Sequence, residues 1–129
     1  MKVVPTYPVP DRMPNGLQWT DEGLFVMDQY SDNVYVMDRT NNRCQIFDIH
    51  GNYLREWSDV RGANDAVIDR TGVMHIVGAA GLELRTLDGE LVGRWGEKGE
   101  GLGHFTNSPH GVFIDDEDSL YVAEVGGNN

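Results

Sequence analysis

One unit of sequence, a strand followed by an acidic turn and a second strand, occurs three times in this chain of 129 residues, and that recurrence limits the fold more than any other feature. The clearest copy runs from Ser108 to Val125. Pro109 cannot donate to a ladder, His110-Gly111 opens the run, Val112 to Ile114 are β-formers, Asp115 to Asp118 break it, and Leu120 to Val122 resume it. Pro14-Asn15-Gly16-Leu17-Gln18-Trp19 followed by Asp21 to Asp28 is a second copy, and Ala63 to Asp69 with Val73 to Val77 is a third. Their opening residues, Asn15, Asn64 and His110, are separated by 49 and 46 positions. Further matches lie between the openers: Arg43 to Asp48 answers Glu83 to Asp88, and Asn52 to Trp57 answers Glu90 to Trp95. Each unit therefore has four strands, and none carries a helical period.

A four-stranded repeat of about 40–50 residues has the length of a propeller blade. The run Asn41-Asn42-Arg43-Cys44-Gln45-Ile46-Phe47-Asp48, then Gly51, Leu54 and Trp57, then Trp95-Gly96 and a glycine-rich linker to Phe105 and Pro109-His110-Gly111, resembles the NHL repeat of β-propellers. The resemblance implies an all-β fold: about three four-stranded antiparallel blades of an originally six-bladed propeller, forming an open arc. The blades are expected over residues 13–57, 58–95 and 106–129, the last incomplete, after an extended proline-rich arm over 1–12. Eleven strands are expected between Gly16 and Val125, where three full blades need twelve. Val34 to Asp38 reads both as the third strand of one blade and as the second of the next, which points to a deletion or join near Asn33. Asp88-Gly89 reads as a two-residue hairpin loop. Trp57 and Trp95 share a repeat position and so a packing role. Gly96 to Phe105 reads as a flexible connector, because no helix and no Lys-Ser/Thr pair follows its glycines as a phosphate loop requires.

Charge narrows the function. The chain has 21 acidic and 10 basic residues, a formal net charge of −11 and no Lys/Arg stripe, so neither nucleic acid nor an anionic membrane is an expected partner. Cys44 is the single cysteine and is expected to be a buried, inert thiol. Met1 to Pro10 lacks the pattern of a secretory leader and no run reaches transmembrane length, so cytoplasmic residence is expected.

In a propeller the first strand of each blade lines the central channel, which places Asn15, Asn64 and His110 at one mouth as candidate ligand-binding residues. Ser108-Pro109-His110-Gly111 is similar to the Pro-His motif of peptidyl-hydroxyglycine amidating lyases, which implies zinc at His110. Asn15 and Asn64 stand where further histidines would be wanted, and catalytic zinc takes three protein ligands. Pro14-Asn15-Gly16-Leu17 resembles the gluconolactonase and senescence-marker group, which implies Asn15 and Asn64 as oxygen ligands of a divalent cation such as calcium. The resemblance thus implies a partial propeller related to metal-dependent lyases or lactonases acting on small molecules or peptide ends, inactive as an isolated chain. Its expected partners are a small-molecule or peptide ligand at the channel mouth and further copies that complete the ring. The alternative is a non-catalytic protein-interaction propeller. Simpler roles stand beside these. An Asn before Gly is a common turn residue. His75 reads as a hydrogen-bonded strand histidine, His50 and His104 as solvated, Asp115 to Asp118 as a solvated turn, and Arg43 as the tie of a turn. No serine has a histidine-acid relay.

Overall fold

The computed structural model describes the backbone of residues 18–20, 23–28 and 32–126, and side chains from residue 32 onward. The arm over 1–12 and Asn15 lie outside the described residues. Within them are eleven strands and no helix: β1 (Gln18–Thr20), β2 (Gly23–Asp28), β3 (Asn33–Asp38), β4 (Arg43–Asp48), β5 (Tyr53–Trp57), β6 (Ala63–Ile68), β7 (Val73–Gly78), β8 (Gly81–Thr86), β9 (Leu91–Trp95), β10 (Ser108–Ile114) and β11 (Leu120–Val125). They form three antiparallel sheets in which sequence neighbours pair: β1 to β5, β6 to β9, and β10 with β11.

One device closes four of the hairpins. Asp48 and Thr86 end a strand, Asp69 and Asp115 follow one directly, and their carbonyls accept the N–H three residues on, from Gly51, Gly72, Gly89 and Asp118. The carboxylates also fold forward: Asp48 Oδ1 accepts N–H groups of His50 and Asn52, Asp69 Oδ1 those of Thr71 and Val73, and Asp115 Oδ1 those of Glu117 and Ser119, all at 2.8–3.0 Å. The third loop residue has φ of 83°, 82°, 95° and 63° respectively, the left-handed region where glycine or aspartate is tolerated. Much of the acidity of the chain is therefore turn chemistry. Asp88-Gly89 belongs to this class, so its loop has three residues, Leu87 to Gly89, and not the two expected; a turn ending in a left-handed glycine requires the extra residue.

The first sheet has five strands where four were expected. Its register explains the double reading of β3: the pairs Ala66↔Ile76, Val77↔Leu82 and Leu82↔Trp95 of the second sheet correspond to Phe25↔Val36, Met37↔Cys44 and Cys44↔Trp57 of the first. By that match β2 to β5 is the unit equivalent to β6 to β9, and β1 is an additional strand on the β2 edge.

Strand alternation sends neighbouring residues to opposite faces, and both faces of the second sheet are covered. Ala66, Ile68, Met74 and Ile76 pack with Tyr35, Met37, Cys44, Ile46 and Trp57 of the first sheet, while Val67, Val77 and Leu82 pack with Val112, Ile114, Leu120 and Val122 of the third. The contacts run between leading strands, β6 against β2 and β3, and β10 against β6, β7 and β8. Between the first two sheets lies a charged cluster. Arg85, 1% exposed, donates to Glu83 Oε2, to Asp59 Oδ1 and O, and to Gly89 O, so its whole guanidinium fork is satisfied. Cys44 lies in the same interface, and burial pushes its thiol up to about 12.

Two further expectations are corrected. Trp57 is buried, but Trp95 is 49% exposed and rests on Phe105 with ring centroids 6.3 Å apart, because no described strand covers its side of β9. The stretch after Trp95 is not a loose connector: Phe105 N donates to Glu97 O, Gly99 N to Phe105 O and His104 N to Gly101 O, and the Phe105 ring is buried.

Candidate functional site

β6 and β10 each carry one irregularity, and the two fall on equivalent residues. In β6 the pairing passes from Ala63↔Gly78 to Asp65↔Val77, leaving Asn64 as the extra residue. In β10 it passes from Pro109↔Glu124 to Gly111↔Ala123, leaving His110. A bulge re-aims the side chain of its extra residue and recurs near binding sites. Asn64 and His110 are thus singled out by the backbone as well as by the repeat.

The two bulges meet. The Asn64 side chain is 3% exposed, and its Nδ2 donates to Pro109 O at 2.8 Å and to Ser108 Oγ at 3.2 Å, just ahead of His110. Asn64 Oδ1 is buried and has no hydrogen-bond partner among the described residues. Beside it Asp65 spans the interface: Oδ1 accepts the N–H of Ala66 at 2.8 Å, and Oδ2 accepts the N–H of Val112 in β10 at 2.9 Å. Burial raises the Asp65 carboxyl above its usual range, against the two N–H donors and the nearby His110, which lower it. His110 itself is exposed. A cleft of about 270 Å³ adjoins this cluster, lined by Gly78 and Ala79 on one side and by Lys98, Phe105, Ser108 and Pro109 on the other.

Asn64 and His110 are brought to one place, and Asp65, which the repeat does not single out as a ligand, joins them. Its signal in the sequence is a break in the pattern: the residue after each opener is Gly16, Asp65 and Gly111. The other candidates resolve as structural. His75 Nε2 and Asp69 Oδ2 are 2.9 Å apart, and Tyr121 hydroxyl donates to Asp115 Oδ2 at the equivalent place in the third sheet, so both residues brace a turn. Arg43 bonds Asp38 and Glu56. His50 and His104 are exposed, and Asp116 to Asp118 form an exposed turn.

Among the described residues no three His, Cys, Asp or Glu side chains are grouped as a metal set. The donors at the bulges, an orphaned amide oxygen and a carboxylate, are hard oxygens of the kind calcium and magnesium take, and one imidazole falls short of a zinc site. No helix among the described residues is long and apolar enough to cross a membrane. No protein-family model matches the chain, and no curated protein matches it.

Proposed function

We propose that the chain is an arc of an NHL-type β-propeller that binds a small polar ligand or a peptide end at the paired bulges of β6 and β10. The observation that carries this reading is Asn64 Oδ1: an acceptor buried without a partner costs about 1–3 kcal/mol, a cost that a donor or cation supplied by a ligand would relieve. Asn64, Asp65 and His110 are the candidate contacts for such a group, with Asn15 as a further candidate from the sequence. The repeat of sheet-on-sheet packing through leading strands supports the propeller reading.

Within that reading the chemistry is of the metal-assisted lyase or lactonase type. Asn64 and Asp65 would hold a divalent cation, whose contribution when bound is to polarise a substrate oxygen as a Lewis acid. Asp65 also holds β10 through Val112, and the exposed His110 would be a further contact for the ligand. A single arc supplies part of such a site, and further copies would complete the ring. The test is equilibrium dialysis of the chain against Ca²⁺ and Zn²⁺ in turn. One equivalent of cation bound, and lost in Asn64→Ala and Asp65→Ala, supports the metal-assisted reading. No uptake at millimolar supply removes it.

The second reading, a non-catalytic interaction module, has its own support. Phe113, Tyr121 and Val125 of the third sheet are each more than half exposed, as is Val92 of β9.

A further inference from the structure

The two inter-sheet interfaces differ at their outer ends. In the first, the β8–β9 hairpin lies over β5: Arg55 Nη2 donates to Leu87 O at 2.9 Å, a Cβ on Gly89 would fall 2.4 Å from the Trp57 ring, and Arg85 of β8 is wholly buried. In the second, the equivalent floor is bare. Trp95 pairs with Leu82 and Gly93 with Leu84, which puts Trp95 and Gly93 on the face that carries Leu82 and Leu84. Trp95 is half exposed, and a Cβ on Gly93 would meet nothing within 4 Å. β11 packs on the same face, where its Leu120 and Val122 share a cluster with Leu82 and Leu84. Its inner edge pairs with β10, and no described strand pairs with its outer edge.

β11 reads Leu-Tyr-Val-Ala-Glu-Val, with no proline, no lysine and no bulge beyond the one opposite His110, so it lacks the usual protections of an exposed edge. A glycine inside a strand, as at Gly93, often marks a close approach by another backbone. Together they form a step: an open row of backbone donors and acceptors beside a floor of Leu84, Gly93 and Trp95.

We infer that this step is a β-augmentation site for an extended, arginine-containing segment of a partner protein. The segment adds a strand to the edge of β11, as β8 adds to β7, and its arginine lies over Trp95. Backbone hydrogen bonds supply affinity, and alternate side chains supply choice. The molecule contains the precedent, since β8 pairs with the edge of β7 and carries Arg85 into the corresponding interface beside Cys44. Charge favours the same occupant. β11 has Glu124 and no cation, and the chain as a whole is −11, so a basic strand is attracted where an acidic one is repelled, and the ring face of an exposed tryptophan attracts a guanidinium. This site is separate from the one at Asn64 and rests on different residues.

The probe is a synthetic peptide of residues 80–87 of this chain, Ala-Gly-Leu-Glu-Leu-Arg-Thr-Leu, titrated into the full chain while tryptophan fluorescence and backbone amide shifts are followed. The expected result is a saturable change assigned to Trp95 by its loss in Trp95→Phe, with shifts confined to β9 and β11. A peptide with its arginine replaced by glutamate is expected to bind at least tenfold more weakly, as is the original peptide to Gly93→Lys, a substitution into open space that leaves the fold intact. Leu102→Ala, at a fully exposed position, is expected to change nothing. No saturable response at millimolar peptide, or equal binding of the two peptides, overturns the proposal. A doubling of mass that protects β11 in the absence of peptide overturns it too, since the edge would then belong to a second copy.

Discussion

Asp65 and Val112 stand 47 positions apart in the chain, yet the carboxylate of one accepts the backbone N–H of the other at 2.9 Å across the junction of the second and third sheets. The bond falls two residues after the His110 bulge, so it fixes the strand that presents His110. At the equivalent place in the third sheet the residue after His110 is Gly111, which has no side chain to make such a bond.

Removing that carboxylate should loosen the third sheet without unfolding the second. Asp65→Ala is expected to cost about 1.5–3 kcal/mol, the range for a hydrogen bond to a charged group, read as a lower urea midpoint. Faster hydrogen exchange at Val112 than at Ile76 would locate the loss. Equal exchange at both would mean that Asp65 is not the clamp.

The Asp69 turn sets an acid limit. Burial raises the Asp69 carboxyl, but hydrogen bonds from His75, Thr71 and Val73 outweigh it and bring it down to about 2. A carboxyl lower in the folded chain than its unfolded value of about 3.9 stabilises fully above that value, and the contribution is lost as pH falls from about 4 toward 2. Asp69→Asn is expected to be less stable than the parent at pH 7 and to show a flatter decline across that window. Parallel pH profiles for the two proteins would contradict the assignment.

Arg85 should be costly to remove alone. Arg85→Ala leaves Glu83, 2% exposed, with only Arg94 for a partner among the described residues, and a buried ion pair broken on one side typically costs about 3–5 kcal/mol. Replacing both by apolar residues, Glu83→Leu with Arg85→Met, is expected to cost less than Arg85→Ala by chemical denaturation, because no buried charge is stranded. A double variant weaker than the single one would mean that the network contributes more than its desolvation costs.

Asn64 anchors the other side of the junction. Asn64→Ala loses the bonds to Pro109 O and Ser108 Oγ, at about 1 kcal/mol each, and also removes the orphaned Oδ1. The net change in thermal stability is therefore expected to be smaller than that of Asp65→Ala. A larger loss would mean that Oδ1 is satisfied in solution.

Much of the fold was legible because period-2 patterning and turn residues act locally. The strands fall where the runs of β-formers lie, the end of β8 two residues earlier than the repeat match Glu83 to Asp88 implies, and the antiparallel pairing of neighbours follows from short loops. Two things depend on more than local sequence. The double reading of β3 was visible in Val34 to Asp38, but only the register of β2 with β3 makes β1 the additional strand. Trp57 and Trp95 are identical in type and place, and they differ because one is covered by the β8–β9 hairpin and the other by Phe105 alone. At the site, Asn64 and His110 were legible as openers of a repeat, whereas Asp65 departs from the glycine that follows His110 and so falls outside the repeat. Its role lies in a contact across sheets, which no pattern within one copy records.

The most direct test of the site is an NMR titration of the labelled chain with Ca²⁺, following the Asn64 side-chain amide and the backbone amides of Asp65 and Gly111. A saturable shift at these groups, absent in Asn64→Ala, is the expected result. Shifts spread only over the exposed acidic turns at Asp48, Asp69 and Asp115, with the Asn64 amide unmoved, would contradict it.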